Sequence, residues 1–134
     1  IIIVEPENAA CVYQSIKTGK IEKISIKKES IMGGMSCDEV SLVPWEILKN
    51  SVNYCVTISD DNISKTVKYL FNSKLSGEKI IGGECSAPGI ISLITMYNDT
   101  KIKDIIGLNE DSNLLLFGCE GDADEELYQK LLNN

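Results

Sequence analysis

The chain has 134 residues, 20 of them acidic and 13 basic, for a net charge of −7, and it contains no histidine. So acidic a domain is repelled by phosphate backbones, and no apolar run is long enough to cross a bilayer, so neither nucleic acid nor a membrane is an expected partner. The lack of histidine excludes Ser-His and Cys-His nucleophilic pairs and His-rich zinc sites within these residues, leaving carboxylates, Lys, Tyr and Cys for acid–base work.

Taken in chain order, the elements alternate. "IIIVEP" is the continuous apolar run of a buried central strand, and it starts without an initiator Met, as a fragment or cropped domain would. "NAACVYQSIKTG" follows as a helix, with Val12, Tyr13 and Ile16 on one face and Gly19 closing it. "KIEKISI" alternates like a short strand or extended segment, and "SIMGGMS" is a flexible loop. Ser36 and Glu39 have the spacing of a capping box and open a helical stretch toward Lys49, which Pro44 breaks into two pieces.

"NYCVTISDD" is a second strand leading into "NISKTVKYLFN", where Ile63, Val67 and Leu70 recur at helical spacing with Asp60 or Asp61 as cap. "KII" is a third, short strand. "GGECSAPGIISLITMYN" is a loop entering a largely apolar, buried helix that tolerates Pro88 near its start. "NLLLFG" is the final strand and "DADEELYQKLL" the final helix, with Asp122 and Glu125 in cap and third-position spacing. Strands separated by helices give an α/β fold, a three-layer sandwich around a mostly parallel sheet.

Such sheets collect ligands at the carboxyl ends of their strands, which singles out Glu5, Asp60, Glu84 and Cys119. Cys119 has two readings: a small buried filler in a turn whose glycines supply unusual dihedrals, or a thiol aimed at a ligand. Glu84, after Gly82-Gly83, is either a solvated loop carboxylate or one facing a ligand. Glu5 either caps the first helix or faces the cleft. Five cysteines (Cys11, Cys37, Cys55, Cys85 and Cys119) show no CxxC spacing, and no signal-peptide pattern opens the chain, so a reduced, cytoplasmic setting is expected. The glycine pairs at 33–34 and 82–83 match neither GxGxxG nor a P-loop.

Four stretches in order, "VEPENAACVYQS", "SIMGGMSC", "GGECSAPG" and "CEGDAD", resemble the C-terminal part of fold-type II pyridoxal-phosphate enzymes, the tryptophan synthase beta-like fold. The first is similar to the Val-Glu-Pro strand end of serine and threonine dehydratases and serine racemases. The third resembles their Glu-x-Ser/Ala-Gly segment, and the last their Ser-Gly-Gly-Asn strand end. "IMGGMSCDEVSLVPWEILKN", "GGECSAPG" and "EGDADEELY" bring the resemblance closer to the diaminopropionate ammonia-lyases, across nearly the whole chain.

The resemblance implies that Cys119 hydrogen-bonds the pyridine nitrogen of pyridoxal 5′-phosphate, that Glu84 sits beside the ring, and that Gly33 and Gly34 lie near the cofactor's face. A thiol, unlike an aspartate, does not hold a proton on that nitrogen, so the ring is a weaker electron sink, suited to eliminating a β-substituent. The implied reaction is α,β-elimination of 2,3-diaminopropionate to pyruvate and ammonia, by a homodimer acting on a small amino acid. The family's Schiff-base lysine, glycine-rich phosphate loop and carboxylate bases have no matching motif here. Residues 1–134 are therefore expected to be the C-terminal portion of the lyase's large domain, inert by itself. Serine racemase-type enzymes hold a divalent cation through a glutamate that Glu5 matches and a later aspartate. Cys11 replaces that aspartate, which leaves Glu5 a weak metal candidate. The resemblance also admits a disulfide between Cys11 and Cys37, with two free thiols as the default. The alternatives are a threonine or serine dehydratase-like enzyme of the same fold, a non-catalytic α/β binding module, or a fragment serving mainly as a dimerisation surface.

Overall fold

The computed structural model describes residues 1–73 and 77–133, which divide into two compact units, Ile1–Asp60 and Asp61–Asn134. In the first, strand β1 (Ile2–Pro6) runs parallel to β2 (Tyr54–Ile58), in register from Ile2 opposite Tyr54 to Pro6 opposite Ile58. A parallel pair needs a crossover, and two helices supply it: α1 (Cys11–Thr18) and α2 (Leu42–Ser51). Cys11, Val40 and Trp45 form the buried cluster of this unit, with Val12, Ile16 and Leu48 packed around it.

Local chemistry sets each boundary. The amides of Val12 and Tyr13 in the first turn of α1 donate to the Glu5 carboxylate rather than to a side chain at Ala10, and α1 ends on Gly19 in the left-handed region at φ 76°. Of the two readings of the alternating segment 20–26, the strand is absent. The segment's amides have other acceptors: Glu22 N–H donates to the buried Ser15 hydroxyl at 2.9 Å, and Ile24 N–H to the Asp38 carbonyl at 2.8 Å. The expected capping box fails as well. The Ser36 hydroxyl accepts from Ser30 N–H, and α2 begins only at Leu42. Pro44 then lies in the first turn of one continuous helix, where its missing N–H leaves nothing unpaired.

The second unit is helical among the described residues: α3 (Ile63–Phe71), α4 (Pro88–Asn98), α5 (Thr100–Ile106) and α6 (Glu125–Asn133). The buried stripe of α3, Ile63, Thr66, Val67 and Leu70, packs with α6, where Phe71 meets Tyr128 edge-on at 6.5 Å. The Ser64 hydroxyl donates to the Leu131 carbonyl at 2.6 Å. α4 starts on Pro88 as expected, but only one face of it is buried; Ile94 and Tyr97 are exposed. Asp99 caps α5 through the amides of Lys101 and Ile102.

Two expected strands are absent among the described residues. Residues 79–81 and 113–118 are irregular, and Leu114, Leu115, Leu116 and Phe117 are exposed. An apolar run becomes a strand only with a ladder partner, and the only described ladder joins β1 and β2. The final helix is also capped two residues later than expected: Asp124, not Asp122, accepts from Leu127 N–H at 2.9 Å. α3 is preceded by a 3₁₀ turn at Asp60–Asn62, and the Asp60 carboxylate binds Ser30 and Ile31 in place of the helix start.

Candidate functional site

In the second unit, two loops distant in sequence are fastened together. Gly83 N–H donates to the Glu120 carbonyl at 3.1 Å, and the Ser86 hydroxyl donates to the same oxygen at 2.5 Å. That hydroxyl also accepts from Glu120 N–H at 3.1 Å, while Cys85 N–H donates to Glu120 Oε2 at 3.1 Å. Backbone and carboxylate of Glu120 are therefore both committed to the 83–86 loop. The fit is close: a Cβ on Gly83 would lie 2.3 Å from the Gly121 carbonyl oxygen, so only glycine fits there.

Cys119 adjoins this junction and is exposed, so it is not a buried filler. Nor do its flanking glycines supply left-handed dihedrals, since the positive-φ glycines among the described residues are Gly19, Gly77 and Gly107. Gly118 instead makes room, because a Cβ there would sit 3.3 Å from Ser86 Oγ.

Glu84 is buried, only 9% exposed, beside Cys85 and Glu120, with a carboxylate oxygen of each glutamate and the Cys85 sulfur within 4.8 Å of one another. Burial pushes the Glu84 carboxyl above its usual range. A backbone hydrogen bond offsets part of that, while Glu120, by charge and direct hydrogen bonding, and Asp124 push it further up. A carboxyl so placed keeps its proton where an exposed glutamate loses it.

In the first unit, Gly33 and Gly34 are both exposed, and Gly33–Met35 form a 3₁₀ turn rather than a flexible loop. Asp60, just past β2, holds that turn. Its Oδ1 accepts from the Ser30 hydroxyl at 2.6 Å and its Oδ2 from Ile31 N–H at 3.0 Å. Ser30 in turn accepts from Met32 N–H at 3.0 Å, and the Met32 side chain is fully buried.

Glu5 is buried at the end of β1 with each oxygen taken by an α1 amide, at 2.9 Å to Val12 and 2.7 Å to Tyr13, so the structure has it capping the helix. Burial raises its carboxyl, while those amides and the Cys11 thiol pull it back down. Burial, with the charges of Glu5 and Cys37, pushes the Cys11 thiol up to about 11. Cys11 and Cys37 are both free thiols, Cys11 buried and Cys37 exposed. Sequence reasoning missed Glu120, Ser86 and Ser30. Nothing local to Glu120 reveals partners 34 and 35 residues away.

Residues 1–104 match the family described as pyridoxal-phosphate dependent enzyme. The chain is 30% identical over 134 residues to diaminopropionate ammonia-lyase of Escherichia coli (strain K12), covering 98% of this chain and 34% of that protein. It superimposes on the selenomethionine-incorporated holo diaminopropionate ammonia-lyase from Escherichia coli with a TM-score of 0.85 at 30% identity, covering 98% of this chain and 33% of that one. For the Escherichia coli enzyme in complex with an aminoacrylate-PLP azomethine reaction intermediate, the TM-score is 0.80 at 28% identity, over 98% and 33% of the two chains. The chain thus spans about a third of the length of the curated relatives it matches.

Proposed function

The chain belongs to the pyridoxal-phosphate dependent enzyme family, with that family's fold-type II α/β architecture, and from this premise we propose that it is part of a lyase converting 2,3-diaminopropionate to pyruvate and ammonia by α,β-elimination. The observation that carries the reading is similarity along 98% of the chain to diaminopropionate ammonia-lyase, in sequence and in fold. The same reading includes a homodimer working in the cytoplasm in amino-acid catabolism.

The residues present suit pyridoxal 5′-phosphate. Cys119 offers an exposed thiol, a weak donor matched to a pyridine nitrogen that is to stay unprotonated. Glu84 and the latched 83–86 loop adjoin it through Glu120, and Glu84 is assigned beside the ring. Gly33 and Gly34, exposed and without side chains, are assigned to the cofactor's face. When bound, the cofactor withdraws electrons from the substrate's Cα so that its proton and then the β-amino group can leave. Cys119 would hold the ring by one hydrogen bond without placing a charge on it. Glu5 is assigned to capping α1 rather than to a metal, and Cys11 and Cys37 to the thiol state.

The test is pyruvate release by the full-length protein, supplied with pyridoxal 5′-phosphate, from diaminopropionate, serine and threonine in parallel. Turnover of diaminopropionate at least tenfold above the hydroxy amino acids supports the lyase. Preference for serine or threonine would replace it with a dehydratase of the same fold.

A further inference from the structure

Glu120 has more partners in the second unit than any local role requires. Its carbonyl accepts from Gly83 and Ser86, its amide donates to Ser86, and its Oε2 accepts from Cys85. The one residue of the 83–86 loop bound to neither its backbone nor its amide-facing oxygen is Glu84, whose carboxyl lies within 4.8 Å of the Glu120 carboxyl. Two carboxylates this close repel when both are ionised, and one proton held between them turns that repulsion into a hydrogen bond.

We propose that Glu120 is a positioning residue that fastens the 83–86 loop and shares one proton with Glu84, so that Glu84 stands as a neutral acid and the pair carries one negative charge instead of two. The surroundings favour this state. Asp124 adds negative charge toward Glu84, and the Cys85 thiol lies alongside. Of the helices packed against the 84–86 turn, α4 has no charged residue. α3 carries Lys65, Lys68 and Tyr69, and Lys65 sits over the Tyr69 ring. That this neutral acid faces a cofactor rests on the reading in the preceding subsection; the shared proton does not. Where both hold, a single charge next to Cys119 keeps the local field from drawing a proton onto the ring nitrogen, in agreement with a thiol at that position.

The sign of the pH dependence follows from the direction of the shift. Glu84 binds its proton more tightly in the folded protein than at its ordinary value of 4.5. Its stabilising contribution is therefore complete below that value and is lost as pH rises through the folded-state value. An uncharged amide at either position removes this loss and can keep the hydrogen bonds.

The experiment uses the full-length protein stripped of cofactor, as wild type, Glu84→Gln, Glu120→Gln and the double variant, with Tm measured between about pH 4 and about pH 8. Each single variant is expected to match the wild type at the acid end and to exceed it by about 3 °C at the alkaline end. The double variant should gain less than the sum of the two. Additive gains, or differences that do not change with pH, would overturn the shared proton, and either variant alone suffices if the other does not fold. Uptake of pyridoxal 5′-phosphate by the wild type, followed by its absorbance, is the separate readout. Non-additive, pH-dependent Tm gains without uptake would leave the pair standing and remove only the functional reading.

Discussion

Ser86 and Glu120 grip each other twice: the serine hydroxyl donates to the glutamate carbonyl at 2.5 Å and accepts from its amide at 3.1 Å. Ser86 is buried, so in Ser86→Ala no water readily replaces the hydroxyl at the amide, while the carbonyl keeps Gly83 N–H. A loss of about 1–3 kcal/mol is expected, read as a lower urea midpoint at unchanged slope. An unaltered midpoint would show that the two loops do not depend on this contact.

Gly83 and Gly33 should behave oppositely when changed to alanine. At Gly83 the new Cβ would meet the Gly121 carbonyl oxygen at 2.3 Å, backbone against backbone, so Gly83→Ala should cost about 3 kcal/mol or more. At Gly33 nothing lies within 4 Å of a Cβ, so Gly33→Ala should change stability by less than about 0.5 kcal/mol. If Gly33 lies at the cofactor's face, the second variant should instead lose affinity for pyridoxal 5′-phosphate, measured by titration of the full-length protein.

What could be read from the sequence was local. The helical recurrence of Ile63, Val67 and Leu70, the Gly19 stop and Pro88 at a helix start all depend on neighbours within a turn, and all are present. The two capping boxes had the right spacing, yet Ser30 takes the Ser36 hydroxyl and Asp124 does the work expected of Asp122. Spacing allows a cap, but competition among nearby polar groups decides it. Residues 114–117 are as apolar as a central strand, but a ladder belongs to two segments and cannot be read from one. For the same reason Cys119 and Glu84 could be singled out while Glu120, which ties them together, could not.

Asp60 organises the turn that carries Gly33 and Gly34. Asp60→Ala removes the acceptor of both the Ser30 hydroxyl and Ile31 N–H and should destabilise by about 2–3 kcal/mol. Asp60→Asn keeps one carbonyl oxygen but turns an N–H₂ toward a donor, so it should fall between wild type and alanine. Equal losses in the two variants, by chemical denaturation, would show that charge rather than acceptor geometry holds the turn.

The cysteines should separate by reactivity. With its thiol pushed up to about 11 and its side chain buried, Cys11 is thiolate in only about one molecule in a thousand near pH 8. Cys37 and Cys119 are exposed. Brief alkylation of the folded protein stripped of cofactor, mapped by peptide mass spectrometry, should therefore label Cys37 and Cys119 at least tenfold faster than Cys11. Comparable labelling of Cys11 would mean that α1 opens readily at its first turn.

Cys119 itself supplies the sharpest test of the proposed chemistry. A thiol offers the ring nitrogen one weak hydrogen bond and no charge, whereas an aspartate would pair with a proton held on that nitrogen and deepen the electron sink. Because Cys119 is exposed, Cys119→Asp has room for the carboxylate and should fold with little loss of stability. In the full-length protein it should still take up pyridoxal 5′-phosphate, shift the absorbance of the bound cofactor, and lower kcat for diaminopropionate at least tenfold with a smaller effect on KM. Cys119→Ser, which retains a single uncharged donor, should recover most of the rate. If the aspartate variant turned over at the wild-type rate with an unchanged spectrum, the thiol would have no part in holding the ring, and the role assigned to it from the family resemblance would have to pass to another residue.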